Sequence, residues 1–363
     1  MAGHGTPLPS GEFHSTYEAD STIFPSKMSR NFAILGVLLL CLIPIEIGEF
    51  SFMGAYGLNL MIMIGIYGIA ALGLNILVGF TGQISLGHAA FFGFGAFSSA
   101  LLNNDYGIPV FIAIPLAGLM TTAIGMIVGL PAARIKGLYL AIATLASEFI
   151  LEDFFARADW FSGGAAGAIA NSPELFGFVF DTDRSYFYVV LFWVVIMYLA
   201  ASNMLRTRDG RAFIAVRDHY LSAEVMGINL TKYRVLSFGV SSFYAGVAGA
   251  LFAHYLQFVS VEGFTILLSV QFLAMIIIGG LGSVMGSLLG TTFMVLLPEV
   301  MEALVSFVGE IGPTSQFLTD GLPYIKEMSI GLAIILFLIF EPDGLAHRWR
   351  LIKAYWKLYP FSY

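Results

Sequence analysis

From position 31 to position 340 the chain is a succession of apolar runs, many of them about twenty residues long, and charge is confined largely to the gaps between them. A hydrocarbon core ~30 Å thick takes about twenty helical residues to cross. Lipid offers no partner to an unpaired backbone amide, so these runs must be helices. Charged residues make up 11% of the chain, against about 25% in an ordinary soluble domain. The fold class that follows is an all-α polytopic membrane protein.

Apolar runs and glycine or proline breaks predict spans over 31–47, 56–78, from the break at 79–82 to about 102, 110–130, 138–157, 186–203, 235–256, 264–279, 283–305 and 328–340. That is about ten spans, or eight if the glycine-rich pair around Gly280 or the segment after Gly82 is re-entrant. Of the 17 Lys and Arg, only Arg157, Arg184 and Lys326 fall at ends expected to be external. The asymmetry predicts both termini on the cytoplasmic side. Residues 1–30 are expected to be a disordered cytoplasmic tail, 31–341 the transmembrane domain, and 342–363 a cationic, aromatic, amphipathic tail at the inner leaflet.

The largest polar island is 204–234. It holds Arg206, Arg208, Arg211, Arg217, Lys232 and Arg234. Ala212, Ala215, Val216, Ser222, Ala223, Val225 and Met226 leave a short helix-compatible segment inside it, with Gly227 as its stop. Such a segment suits docking into a groove of another protein, or serves only as a solvated loop that fixes topology.

Four stretches resemble the LivM-type permease subunits of branched-chain amino-acid ABC importers. They are GFTGQISLGHAAFFGFGAF from Gly79, GLYLAIATLA from Gly137, GRAFIAVRDHYLSAEVMGINLTKYR from Gly210 and IIGGLGSVMGSLLG from Ile277. The resemblance implies that the island is the coupling helix that contacts an ATPase subunit, with Arg211, Arg217, Asp218, Ala223, Glu224 and Gly227 as candidate coupling residues. It also implies two pseudo-repeated halves, a second permease subunit (LivH-like), ATPase subunits and an extracytoplasmic binding protein, in a bacterial inner membrane. Branched-chain amino acids, urea, amides and aromatic acids are all handled by proteins similar to this one, and the homodimer or heterodimer question stays open. A weak echo supports the two halves, since Gly79, Gly82, Ser85 and Gly87 recur as Gly279, Gly280, Gly282, Ser283 and Gly286.

No phosphate-cradling GxxxxGK[ST] loop, HExxH pair or GxSxG elbow occurs in the sequence. The chain is therefore expected to be a transport subunit and not an enzyme, with no cofactor of its own and ATP held by a partner. The single cysteine, Cys41, rules out an internal disulfide and is expected to be a buried small hydrophobe, and a net charge of −7 argues against nucleic acid. Gly82, Gln83, Ser85 and His88 are candidates for the translocation pathway, the three polar ones within the first turns of the third span. Glu148 lies ten residues into the fifth span. A lipid-facing carboxylate there would cost at least ~2.5 kcal/mol, so it is expected to face the bundle interior, with a partner the sequence does not name. His254 is expected at the membrane interface. The competing function is an ion-gradient-driven secondary transporter acting without an ATPase, for which Glu148 and His88 are the obvious coupling groups.

Overall fold

The computed structural model describes residues 27–44, 46–47, 50–51, 54–135, 137–175, 177–311 and 321–358. Most of the expected tail 1–30 and of the loop between the last two spans lies outside them. The described chain is predominantly helical: α1 (Lys27–Leu42), α2 (Ala55–Asn75), α3 (His88–Asn104), α4 (Val110–Ala132), α5 (Leu138–Arg157), α6 (Asp183–Arg206), α7 (Arg208–Val225), α8 (Leu230–Leu256), α9 (Ile266–Gly279), α10 (Val284–Ile311), α11 (Leu322–Phe340) and α12 (Gly344–Leu358). Among the described residues, seven helices are long and apolar enough to cross a membrane: α2 with its continuation to Phe80, α4, α6, α8, α9 with the turn before it, α10 and α11. The chain is a multi-pass membrane protein.

Glycine determines how tightly the centre packs. Helix α8 runs through the middle against α4, α3 and α2. A Cβ on Gly246 of α8 would stand 2.7 Å from Thr121 Cβ and 3.0 Å from Gly118 Cα on α4, and one on Gly95 of α3 would strike Gly246 itself. These helices touch backbone to backbone, as small residues allow in membranes. Beside this contact Phe92, Phe97, Phe252, Phe264, Phe272 and Tyr67 fill one aromatic cluster, with ring centroids 5.3 to 6.3 Å apart in tilted or edge-on pairs, except that Tyr67 stacks on Phe252.

Four expectations need correction. The first helix stops at Leu42 instead of near 47, because Pro44 follows at once and a residue before proline is pushed out of the helical region. The third helix begins only at His88, so Gln83 and Ser85 precede it on a non-helical segment. Cys41 is only partly buried. His254 is not interfacial: it is 1% exposed, its Nδ1 donates to Asn171 O at 2.6 Å, and its Nε2 accepts from Ser99 Oγ at 2.8 Å. The same bond ties the loop after α5 to α8, where strand Ala168–Ile169 pairs antiparallel with Phe258–Val259.

Candidate functional site

The break after α2 is built by local rules. Asn75 ends the α-helix, and Ile76–Phe80 follow as one π-helical turn, the form a membrane helix takes where its hydrogen-bond ladder is being reset. Thr81 Oγ1 donates back to Leu77 O at 2.5 Å, and Gly82 (φ +70°) turns the chain into a conformation that side chains rarely tolerate. Gly82 N still bonds Val78 O at 3.1 Å, and residues 83–87 then run without helical hydrogen bonding through protein, which supplies the partners that lipid cannot. Gln83 Nε2 donates to Ser237 Oγ of α8 at 2.7 Å, and the backbone amide of Leu86 donates to Thr144 Oγ1 of α5 at 3.0 Å.

His88 starts α3 fully buried, its Nε2 donating to Ala70 O at 2.9 Å and its ring edge-on to Phe272 at 5.6 Å. One residue on, the free Ala89 amide of the first turn donates to Ser269 Oγ of α9 at 2.8 Å. The Ser269 hydroxyl in turn donates to Glu148 Oε2 at 2.7 Å. That is the partner the sequence did not name. Glu148 is fully buried, facing inward from α5 as its charge requires, and one hydroxyl links it to the positive end of α3. Its Oε1, together with Gln83 Oε1 and His88 Nδ1, has no hydrogen-bond partner among the described residues. Of the candidate pathway residues, Gln83, Ser85, His88 and Glu148 are all buried; within this stretch Ile84, at 43% exposed, faces outward.

The second glycine break, between α9 and α10, meets the first. A Cβ on Gly282 would stand 3.2 Å from Gly79 O, so the two breaks touch through backbone. Asn75 fastens them: its Oδ1 accepts from Gly282 N at 2.9 Å, while its Nδ2 donates to Ser283 O and to Ser287 Oγ, both at 2.8 Å. Sequence reading missed Asn75, although an amide inside the run LGLNILVGF was a signal. Asn75→Leu is expected to lower stability by about 2–4 kcal/mol, because it removes three hydrogen bonds across the junction and leaves the half-buried Gly282 amide without its acceptor. A thermal midpoint equal to wild type in a detergent-solubilised preparation would contradict that.

Helix α7 lies across this junction. Thr207 caps it, its Oγ1 accepting from Gly210 N at 3.4 Å, and Gly227 (φ +85°) ends it, with Ile228 N bonded to Ala223 O at 3.0 Å. Gly210, Ala212, Phe213, Val216 and Ala223 are buried against the body. Of the candidate coupling residues, Arg211, Arg217, Asp218, Glu224 and Gly227 are exposed and Ala223 is underneath, and the Arg217 side chain also reaches back to donate from Nη1 to Gly79 O at 2.7 Å. Val225 and Met226, 87% and 82% exposed, form an apolar tip that no part of the chain covers among the described residues.

A bundle of apolar helices, two of them broken by glycine at one point beneath a polar surface helix, is the architecture of a multi-pass membrane protein. The chain belongs to the family of branched-chain amino acid transport system permease components, whose model matches residues 56–339. It is 31% identical over 313 residues to the high-affinity branched-chain amino acid transport system permease protein LivM of Salmonella typhimurium, and 30% identical to LivM of Escherichia coli. Each alignment covers 80% of this chain but 66% of the relative, so the chain spans just under two-thirds of these proteins. It is also 27% identical to a probable LivH of Methanocaldococcus jannaschii, over 71% of this chain and 82% of that protein. No solved structure matches it.

Proposed function

We propose that this chain is a transmembrane permease subunit of an ATP-binding-cassette importer in a bacterial inner membrane, translocating branched-chain amino acids or a related small amide or carboxylate by alternating access. Residues 31–341 form its membrane unit, 204–234 its coupling loop and 342–363 its inner-leaflet tail. Ten spans result when α1, α3 and α5 are added to the seven long apolar helices, with both termini cytoplasmic and two pseudo-repeated halves meeting at the glycine breaks. The partners are a second, LivH-like permease, ATPase subunits that bind the ATP, and an extracytoplasmic binding protein. Relatives carrying LivM and LivH names in one family support the paired permeases.

The observation that carries this reading is α7, a helix with one face packed on the glycine junction and an uncovered apolar tip at Val225 and Met226. A helix face of that kind fits a groove on a soluble partner. Arg211, Asp218 and Glu224 surround it and steer docking, contributing little affinity where exposed. The segment 82–88 with Glu148 forms the pathway wall.

Val225→Glu with Met226→Glu is expected to abolish co-purification of the ATPase subunits while the protein still inserts and elutes as a folded species. An intact complex recovered from the double variant would refute the docking assignment.

A further inference from the structure

Arg217 looks from sequence like one more solvent-facing charge on a docking helix, and the geometry gives it a different task. The helix that ends at Phe80 leaves its last carbonyls without helical partners. Gly79 O is one of them, and Arg217 Nη1 fills it at 2.7 Å, a cation at the negative end of a helix. Arg217 Cγ lies 3.1 Å from where a Cβ on Gly82 would stand, and Nη1 lies 3.0 Å from the corresponding point on Gly282. One side chain of α7 thus rests on both glycine breaks at once, where any side chain on either glycine would meet it. Gly82 and Gly282 both hold positive φ, +70° and +75°, which glycine adopts readily.

A second feature of α7 points the same way. Its dihedral angles leave the helical region at His219 (φ −155°, ψ 84°), two residues beyond Arg217. The part before this kink carries the buried Gly210, Ala212, Phe213 and Val216, and the part after it carries the buried Ala223 and then the uncovered Val225 and Met226. Asp218 Oδ1 accepts from Arg217 Nε at 2.8 Å and fixes the guanidinium just before the kink. The packed stretch and the segment that leads to the uncovered tip therefore join where the arginine is held.

We propose that Arg217 is a positioning residue that couples movement of α7 to the two broken helices. It acts by donating to Gly79 O in one position of α7 and releasing it in another. A displacement of about 1 Å takes a 2.7 Å bond past the distance at which it counts as a hydrogen bond, so small movements of the outer segment suffice. The released carbonyl and the two glycine turns are then free to repack, which is the differential contact that a two-state change requires. This inference rests on the importer reading above.

The test uses the complex purified with its ATPase and permease partners, reconstituted in liposomes, and follows ATP hydrolysis, substrate uptake and complex yield. Arg217→Gln is expected to assemble at wild-type yield and hydrolyse ATP, while uptake per ATP falls about tenfold or more, within the ordinary range of coupling between sites. Arg217→Lys keeps a cation within reach of Gly79 O and is expected to recover part of that ratio. Should Arg217→Gln fail to accumulate, the lysine variant carries the test by showing an intermediate uptake per ATP. Unchanged uptake per ATP in both variants overturns the proposal, as does a loss of yield in which uptake and hydrolysis fall in proportion and lysine rescues neither. A wild-type preparation that holds no ATPase subunit and hydrolyses no ATP overturns the importer reading itself, a failure distinct from the first.

Discussion

Gly246→Leu is expected to leave almost no folded protein in the membrane, while Gly331→Leu accumulates as wild type does. The first places a branched side chain where even a Cβ would stand 2.7 Å from Thr121 Cβ and 3.0 Å from Gly118 Cα. Overpacking that side chains can absorb costs about 1–3 kcal/mol. Here one of the opposing atoms is backbone, and on the other side of α8 Gly95 holds α3 against the same residue, so neither helix can retreat without separating the other. A cost beyond that range consumes a large part of the ~5–15 kcal/mol by which folded proteins are stable. Around Gly331 of α11 nothing lies within 4 Å of the added atom, so the same chemical change has room. Monodispersity and thermal midpoint after detergent extraction measure the pair. Equal midpoints for Gly246→Leu and wild type would mean that the helices do not meet as described.

That contrast explains which parts of the molecule could be read from the residues. Helices bounded by local signals came out nearly as expected: α4 starts at Val110 behind Pro109, α5 runs from Leu138 to Arg157, and α7 stops at Gly227. Their ends are written in proline, glycine and polar residues within a turn of the boundary. The start of α3 was not legible, because what holds residues 82–87 off the helix is distant in sequence. Thr144 lies 58 positions from the amide it accepts, and Ser237 lies 154 from Gln83. For the same reason the bond from the exposed Arg217 to Gly79 O was not legible, its acceptor being 138 residues earlier, and His254 passed for an interfacial group although Ser99 and Asn171 enclose it. Hydropathy reports which segments leave water. It does not report which carbonyl a long side chain will find.

Glu148 shows where the two kinds of information join, since its burial followed from the cost of its charge and its partner only from the fold. Glu148→Lys is expected to abolish stable protein, and Glu148→Gln to assemble normally but transport at about a tenth of the wild-type rate or less, a loss of ~1.4 kcal/mol or more in the transport step. The carboxylate accepts from Ser269, whose oxygen already accepts from the Ala89 amide at the start of α3. A negative group there meets the positive end of a helix, an interaction of about 0.3–1 kcal/mol, rising to ~2 in partly buried geometry. Lysine reverses that sign and adds the cost of a cation at membrane depth, ~2.5–3.5 kcal/mol on insertion scales. Glutamine keeps an acceptor for the Ser269 hydroxyl at nearly the same volume, so packing and assembly survive while the charge goes. The carboxyl oxygen Oε1, buried and without a protein partner among the described residues, is the atom left for a passing solute or a water, and it is what the amide replaces chemically. If the glutamine variant takes up substrate as fast as wild type, the carboxylate only anchors α5 to α9, and the pathway wall must be drawn from the segment 82–88 without it.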